Sequence, residues 1–180
     1  LPPVAKLTPE QAMFWFMMGY TSKLAGTETG VTEPEATFSR FFGAPFMPRN
    51  PSDYTDLLGA KLKKHQVPVY LVNTGWSGGP FGVGSRMDIN LTRAMVRAAL
   101  DGSLAHVEFV ADPLFKVLIP KTCPGVPPEM LTPINTWADK AAFAEHAGKL
   151  AAKFRAHFDK NFRGKVSEAV TAQCPAARTE

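Results

Sequence analysis

Two cysteines in 180 residues, Cys123 and Cys174, are too few and too far apart for a disulfide scaffold or a zinc site. They read as free thiols in a reducing compartment. No apolar run approaches the roughly 18 residues that span a bilayer, and no signal-peptide pattern opens the chain. The expectation is a cytoplasmic protein with no membrane partner. Basic residues outnumber acidic ones only enough for a net charge of +4. With no polybasic arm and no alternation of aromatics with arginines, nucleic acid is not an expected partner either. Internal repeats and low-complexity tracts are absent. So is an initiator methionine: the chain begins LPPVAKLTPE, a proline-stiffened extended segment that reads as a chain entered partway through. What is present is enough apolar sequence, 45% of residues, to bury the core of one domain.

Local signals place the elements. Thr8-Pro9-Glu10-Gln11 is a helix start, with Thr8 as cap, Pro9 in the first turn and Gln11 closing a capping box. The following AMFWFMMGYTSKLAG is apolar on nearly every side, which predicts a buried helix stopped at Gly26. No single stripe accounts for Phe14, Trp15 and Met18, so the chain by itself is expected to expose them as an apolar patch. Residues 27–49 have no sustained period, and a loop of that length is functional or wrapped around another element. Glu28, Glu33 and Glu35 lack partners at a telling spacing and read as solvated carboxylates rather than an acid–base pair.

Asn50-Pro51-Ser52-Asp53 opens a second helix capped by Asn50, with Tyr54, Leu57, Leu58 and Leu62 as its apolar stripe. VPVYLV, residues 67–72, predicts a strand buried on both faces. Asn90 caps a third helix over 91–100, stopped near Gly102. Residues 106–111 and 115–119 predict two strands around Asp112-Pro113. Thr136 starts the longest helix, with Phe143, Ala147, Leu150, Phe154 and Phe158 on its buried stripe and His146 and His157 beside it. The tail from Val166 is expected to fray. The fold class is α/β, a mixed sheet with flanking helices, in a single segment over 1–180.

Residues 74–86, TGWSGGPFGVGSR, put five glycines, two aromatics and an arginine just after the 67–72 strand. In open α/β sheets, ligands collect beyond the carboxyl ends of strands. A phosphate cradle of the GxxxxGK type needs a lysine, and this stretch has none. The dinucleotide pattern GxGxxG fails because Met87 stands in the place of the last glycine. Spacing leaves two readings of this glycine-hinged segment. It covers a planar ligand onto which Arg86 can stack, or it is an idle surface connection.

Longer stretches narrow the choice. GYTSKLAGTETGVTEPEATFSRFFGAPFMP, YLVNTGWSGGPFGVGSRMDINLTRA, DGSL and NTWADKAAF closely resemble the ATP-dependent phosphoenolpyruvate carboxykinases, in order and over nearly the whole chain. Enzymes of that family convert oxaloacetate and ATP to phosphoenolpyruvate, carbon dioxide and ADP in gluconeogenesis. The resemblance implies the C-terminal nucleotide-binding segment of a longer enzyme, with LPPV similar to the end of the family's DAFGVLPPV. It implies ATP with magnesium as cofactor, a second divalent ion, manganese, and the missing N-terminal part of the same enzyme as partner. The Walker-type loop, the metal ligands and the substrate-gripping arginines would lie upstream, so no catalytic or metal-binding residue carries over.

Two features do carry over. Residues 32–43 resemble the family's mobile lid. Arg86 and Met87 match the arginine and apolar residue beside adenine, and Thr92 matches the ATP-contacting threonine. The family often has lysines where this chain has Ser85 and Asn90, so the local charge departs from the pattern. The rival expectation is a non-catalytic fragment or interaction module that keeps the fold.

Overall fold

In the computed structural model, which describes residues 1–23 and 35–176, the helix start at Thr8 forms as its sequence demands. The Thr8 hydroxyl accepts from the Gln11 amide (3.2 Å) and the Gln11 side chain accepts from the Thr8 amide (2.9 Å). Strand β1 (Val4–Leu7) leads into this cap and helix α1 (Pro9–Met18) follows it. The helix ends at Gly19, not Gly26. Gly19 takes a left-handed conformation (φ 54°) and closes on the Trp15 carbonyl. A Cβ there would stand 1.7 Å from the Ser39 carbonyl oxygen, so only glycine fits. The chain then turns into strand β2 (Tyr20–Lys23), paired antiparallel with β3 (Glu35–Phe38). Gly26, Glu28 and Glu33 lie outside the described residues, as does the side chain of Glu35.

Helix α2 (Pro51–His65) and strands β4 (Val69–Val72), β5 (Trp76–Ser77) and β6 (Ser85–Arg86) come next, then α3 (Ile89–Leu100). Strands β7 (Phe109–Ala111) and β8 (Leu118–Pro120) precede α4 (Pro128–Leu131), α5 (Pro133–Thr136), α6 (Lys140–Asn161) and α7 (Glu168–Thr171). The architecture is α/β, a sheet with flanking helices, and every described strand pairing is antiparallel.

These elements form two compact units, each discontinuous in sequence. The first comprises Leu1–Leu7, Pro68–Ala151 and the chain from Ala176. Its four-stranded sheet runs β4-β1-β8-β7. The extended opening of the sequence therefore becomes an inner strand, with Val4 and Ala5 fully buried. The 67–72 stretch does not become a strand buried on both faces. It begins at Val69, sits at the sheet edge, and leaves Val72 exposed. The two strands expected around Asp112-Pro113 form over shorter spans, 109–111 and 118–120, and pair as a hairpin, with Asp112 Oδ1 accepting from Leu114 N (2.9 Å) and Phe115 N (2.6 Å). Met95, Ala98, Leu104, Ile119, Cys123, Val126 and Leu131 complete an aliphatic core. Both cysteines are free thiols.

Helix starts in this unit shift from the expected caps. Asp88, rather than Asn90, caps α3 by accepting from the Asn90 amide (2.6 Å). Asp139, rather than Thr136, caps α6 through the Ala141 and Ala142 amides (2.8 and 3.0 Å). Asp88 and Asp139 stand directly before the first helical residue, where a carboxylate can accept from the free N–H groups, whereas Asn90 lies inside α3 and Thr136 ends α5.

The second unit, Thr8–Val67 with Ala152–Pro175, has an aromatic core. Phe14 packs on Phe158 (5.7 Å between ring centroids), and Trp15 meets Phe154 edge-on (4.9 Å). The expected apolar patch does not exist: Phe14, Trp15 and Met18 are buried, because the end of α6 brings Phe154 and Phe158 over them. The buried face of α2 is Pro51, Thr55 and Leu62, while Leu57 points outward and Asn50 makes no side-chain cap. Gly59 in α2 is explained by α1: a Cβ would stand 2.7 Å from the Met13 sulfur. The tail does not fray where it is described, since α7 buries Val170. In the first unit, Ala176 N donates to the Leu114 carbonyl (2.8 Å).

Candidate functional site

The glycine segment folds as a closed hairpin in the first unit. After β4, Asn73 is tied by its amide to the Pro3 carbonyl (2.9 Å). Strands β5 and β6 then pair antiparallel, with Trp76 opposite Arg86 and Ser77 opposite Ser85. The turn closes on Pro80, whose carbonyl accepts from Val83 N (3.1 Å) and Gly84 N (2.8 Å). Its glycines act less as hinges than as spacers. A Cβ on Gly84 would stand 2.5 Å from the carbonyl oxygens of Ser77 and Gly79, so any side chain would force the strands apart. Gly78, at φ 78°, donates to the Thr136 hydroxyl (3.2 Å), which anchors the hairpin to α5.

The hairpin fixes which way its exit residues face. Arg86 is exposed, and no described carboxylate forms an ion pair with it. As cross-strand neighbours, Arg86 and Trp76 share one face of the pair. Trp76 is partly exposed and meets Phe81 edge-on (5.2 Å between centroids). Sequence spacing missed Trp76 as the neighbour of Arg86. The signal was there in the glycines at 78, 79, 82 and 84, which let the two short strands close.

Met87 turns the other way. Its amide donates to the Gly75 carbonyl (2.9 Å), and its half-buried side chain packs on the core cluster around Met95. Asp88 starts α3 at once, which puts Thr92 in its first turns, half-buried, with its amide bonded to the Asp88 carbonyl (3.3 Å). Thr92 lines a shallow cleft of about 510 Å³ with Arg93, Val96, Arg97, Leu100 and Asp101. The structure thus carries Arg86, Met87 and Thr92 on one strand–helix joint, with Arg86 outward and Met87 inward.

The electrostatics around this joint are mild. Hydrogen bonds from the Ser103 hydroxyl and amide hold the Asp101 carboxyl below the usual carboxylate range, with help from Arg97. Burial, and then the Asp101 charge, pushes the Cys123 thiol up, away from thiolate chemistry. Among the described residues, no three histidine, cysteine or acidic side chains converge as a metal site would require. An arginine plane beside an indole suits a flat heteroaromatic ligand.

The lid-like stretch lies in the second unit. Residues 32–34 fall outside the described residues. From Glu35 onward the stretch is paired as β3 and then forms a tight turn over Arg40–Phe42. Phe41 and Phe42 both take left-handed backbone conformations (φ 59° and 56°), uncommon for bulky side chains. The Phe41 ring is buried between Phe16 (5.1 Å) and Tyr54 (4.9 Å), packing that holds this backbone in place. Of the four histidines, His65, His106 and His146 are exposed. His157 stacks on Phe38 (4.4 Å, 14° between planes).

Comparison with known proteins reports the same family. The family profile described as phosphoenolpyruvate carboxykinase matches residues 1–129. Phosphoenolpyruvate carboxykinase (ATP) 2 of Moorella thermoacetica is 58% identical over 178 residues, 99% of this chain and 34% of the relative. Phosphoenolpyruvate carboxykinase (ATP) 1 of the same organism is 61% identical over 160 residues, 89% of this chain and 30% of the relative. The enzyme of that name from Geobacillus thermodenitrificans is 62% identical over 160 residues, with the same coverage of 89% and 30%. The chain therefore spans about a third of the length of these relatives. With most of its length matched by the family profile, the chain belongs to the ATP-dependent phosphoenolpyruvate carboxykinase family.

Proposed function

We propose that residues 1–180, both units together, are the C-terminal nucleotide-contacting segment of a longer cytoplasmic phosphoenolpyruvate carboxykinase. That enzyme would convert oxaloacetate and ATP to phosphoenolpyruvate, carbon dioxide and ADP in gluconeogenesis. The observation that carries this reading is the strand–helix joint. Arg86 presents its guanidinium outward beside Trp76, and Thr92 opens into the α3 cleft directly after it. On this reading Arg86 lays its plane on the adenine, Met87 supports the base side from the core, and Thr92 offers its hydroxyl to the nucleotide. The hairpin then covers the base rather than the phosphates, consistent with its lack of lysine.

Among the described residues no three histidine, cysteine or acidic side chains gather in one place. Magnesium carried with ATP and a second divalent ion, manganese, would be held by the rest of the enzyme, together with the oxaloacetate-gripping groups. Phosphoryl transfer rests on positioning and charge neutralisation. The 180-residue chain alone is therefore expected to be inert. Residues 32–43 are assigned the lid role, and within them the Phe41 ring is buried against Phe16.

The test is to titrate ATP and oxaloacetate separately against Arg86 variants of the full-length enzyme. Arg86→Ala should weaken nucleotide binding by roughly 0.5–2 kcal/mol, the scale of a lost cation–π contact, and leave oxaloacetate binding unchanged. Arg86→Lys should recover only part of the loss, because an ammonium cannot stack as a plane. Loss of oxaloacetate affinity with ATP affinity intact would overturn the assignment.

A further inference from the structure

The second unit contains a cleft apart from the Arg86–Thr92 joint. It is lined by Arg40, Arg49, His157, Asn161 and Lys165, with Phe38 and the Asn50-Pro51 start of α2 among its walls. We propose that this cleft is an anion site, sharing no residue with the hairpin–α3 joint, that takes a compact polyanion carrying two or three negative charges.

Three observations carry the proposal. The first is charge. Arg40, Arg49 and Lys165 bring three fixed cations to the cleft, and none of its lining residues is a carboxylate. Among the described residues no acidic side chain forms an ion pair with any of the three. Lys165 Nζ donates to the Asn161 carbonyl (2.8 Å), which leaves its other protons for a ligand. Surface cations gathered without local compensation make a potential that an anion would relieve.

The second is the end of α2. This 15-residue helix begins at the cleft, and the Asn50 side chain does not cap it. Its positive end therefore adds to the field of the arginines. Asp53, the acid of its first turn, does not line the cleft.

The third is that the walls are held in place. The Tyr54 hydroxyl accepts from the Arg49 amide (3.2 Å), and the Ser39 hydroxyl accepts from the Ala44 amide (3.4 Å). The stacked Phe38–His157 pair and buried Phe162 form an apolar side to the cleft. At about 550 Å³, it has room for a polyanion and part of its hydration. Two forked guanidiniums favour planar or tetrahedral oxyanions, which phosphates and polycarboxylates both supply.

The experiment is calorimetric titration of the 180-residue chain at low salt with pyrophosphate and, separately, with citrate. Saturable one-to-one binding is expected. The Arg40→Gln/Arg49→Gln variant should weaken it by at least about tenfold, the scale of losing charge-assisted hydrogen bonds. Arg49→Lys should retain part of the affinity. Arg86→Ala should not alter it, so failure of the nucleotide assignment and failure of this one are read separately. A pyrophosphate-only response identifies a phosphate-type ligand, and a citrate-only response a polycarboxylate. If the near-UV circular dichroism of the double variant differs from that of the parent chain, Lys165→Gln replaces it, with the same direction expected. Absence of saturable binding by both anions overturns the site. So does undiminished binding by the variants, or loss of binding on Arg86→Ala.

Discussion

The two units solve the packing problem with different side chains. The unit that carries the glycine hairpin fills its interior mostly with aliphatic residues, with Cys123 and the single buried ring of Phe115 among them, and keeps Trp76 and Phe81 at the surface. The unit built on α1 does the reverse, burying Phe14, Trp15, Phe154, Phe158 and Phe162. Apolar side chains left in water on the hairpin and α3, among them Val83, Ile89, Val96 and Leu100, mark surface available for contact. The aromatic unit buries most of its rings, leaves Phe42 and Phe46 exposed, and presents cations in its cleft. The lesson is one of division: the ring cluster around Phe154 carries the interior of one unit, while the other relies on aliphatic packing.

The comparison can be broken most sharply at Phe154. Its ring touches Trp15 (4.9 Å), Tyr20 (5.0 Å) and Phe38 (5.0 Å). Phe154→Ala should cost about 3–5 kcal/mol of stability in denaturant unfolding, as large aromatic-to-alanine truncations in cores do. A loss below about 1 kcal/mol, the range of ordinary surface substitutions, would show that the aromatic cluster does not hold the second unit together.

Gly84→Ala comes next and sharpens the contrast. The new methyl would meet the Ser77 and Gly79 carbonyl oxygens at 2.5 Å. A cost of roughly 1–3 kcal/mol is expected, the scale of overpacking. It should be confined to the first unit, with faster amide exchange at Ser77 and Ser85 and unchanged exchange around Phe158. Exchange that rises equally in both units would mean that the hairpin is not a local device.

The smallest effect is the pH response of His157. Burial, and then the Lys160 charge, holds its pKa below the ordinary imidazole value. An imidazole depressed in the folded state is protonated more readily in the unfolded state. Its contribution to stability is thus present above the ordinary value of 6.5 and is lost as pH falls through 6.5 towards the lower folded value. A modest decline in melting temperature below that point is expected, and His157→Gln should flatten it. An unchanged decline in the variant would assign it to other groups.

Much of the helical framework was legible because its signals are short in range. The Thr8–Gln11 capping box spans three residues and formed as read. The Asp112 turn spans three as well. The α6 stripe found Phe154 and Phe158 but not Phe162, which continues it by one turn. In the candidate site, Arg86 was singled out by the loop's composition and the family resemblance. The partner indole of Trp76 did not, since cross-strand neighbours depend on register and not on spacing alone.

The amino-acid sequence by itself determined the α/β class, the family, the position of most helices and the absence of a lysine in the glycine loop. Each is carried by residue type or by neighbours within a few positions. Tertiary structure alone decided that Gly19 ends α1, because Ser39 lies against it. It also decided that Val4–Leu7 becomes an inner strand, because Val4 pairs with Val72 and Lys6 with Leu118. It made a closed hairpin of residues 76–86, because Gly78 is held by Thr136 and Gly84 lies against Gly79. Most of these contacts join positions 20 or more residues apart, and the meeting of such residues depends on the packing of everything between them.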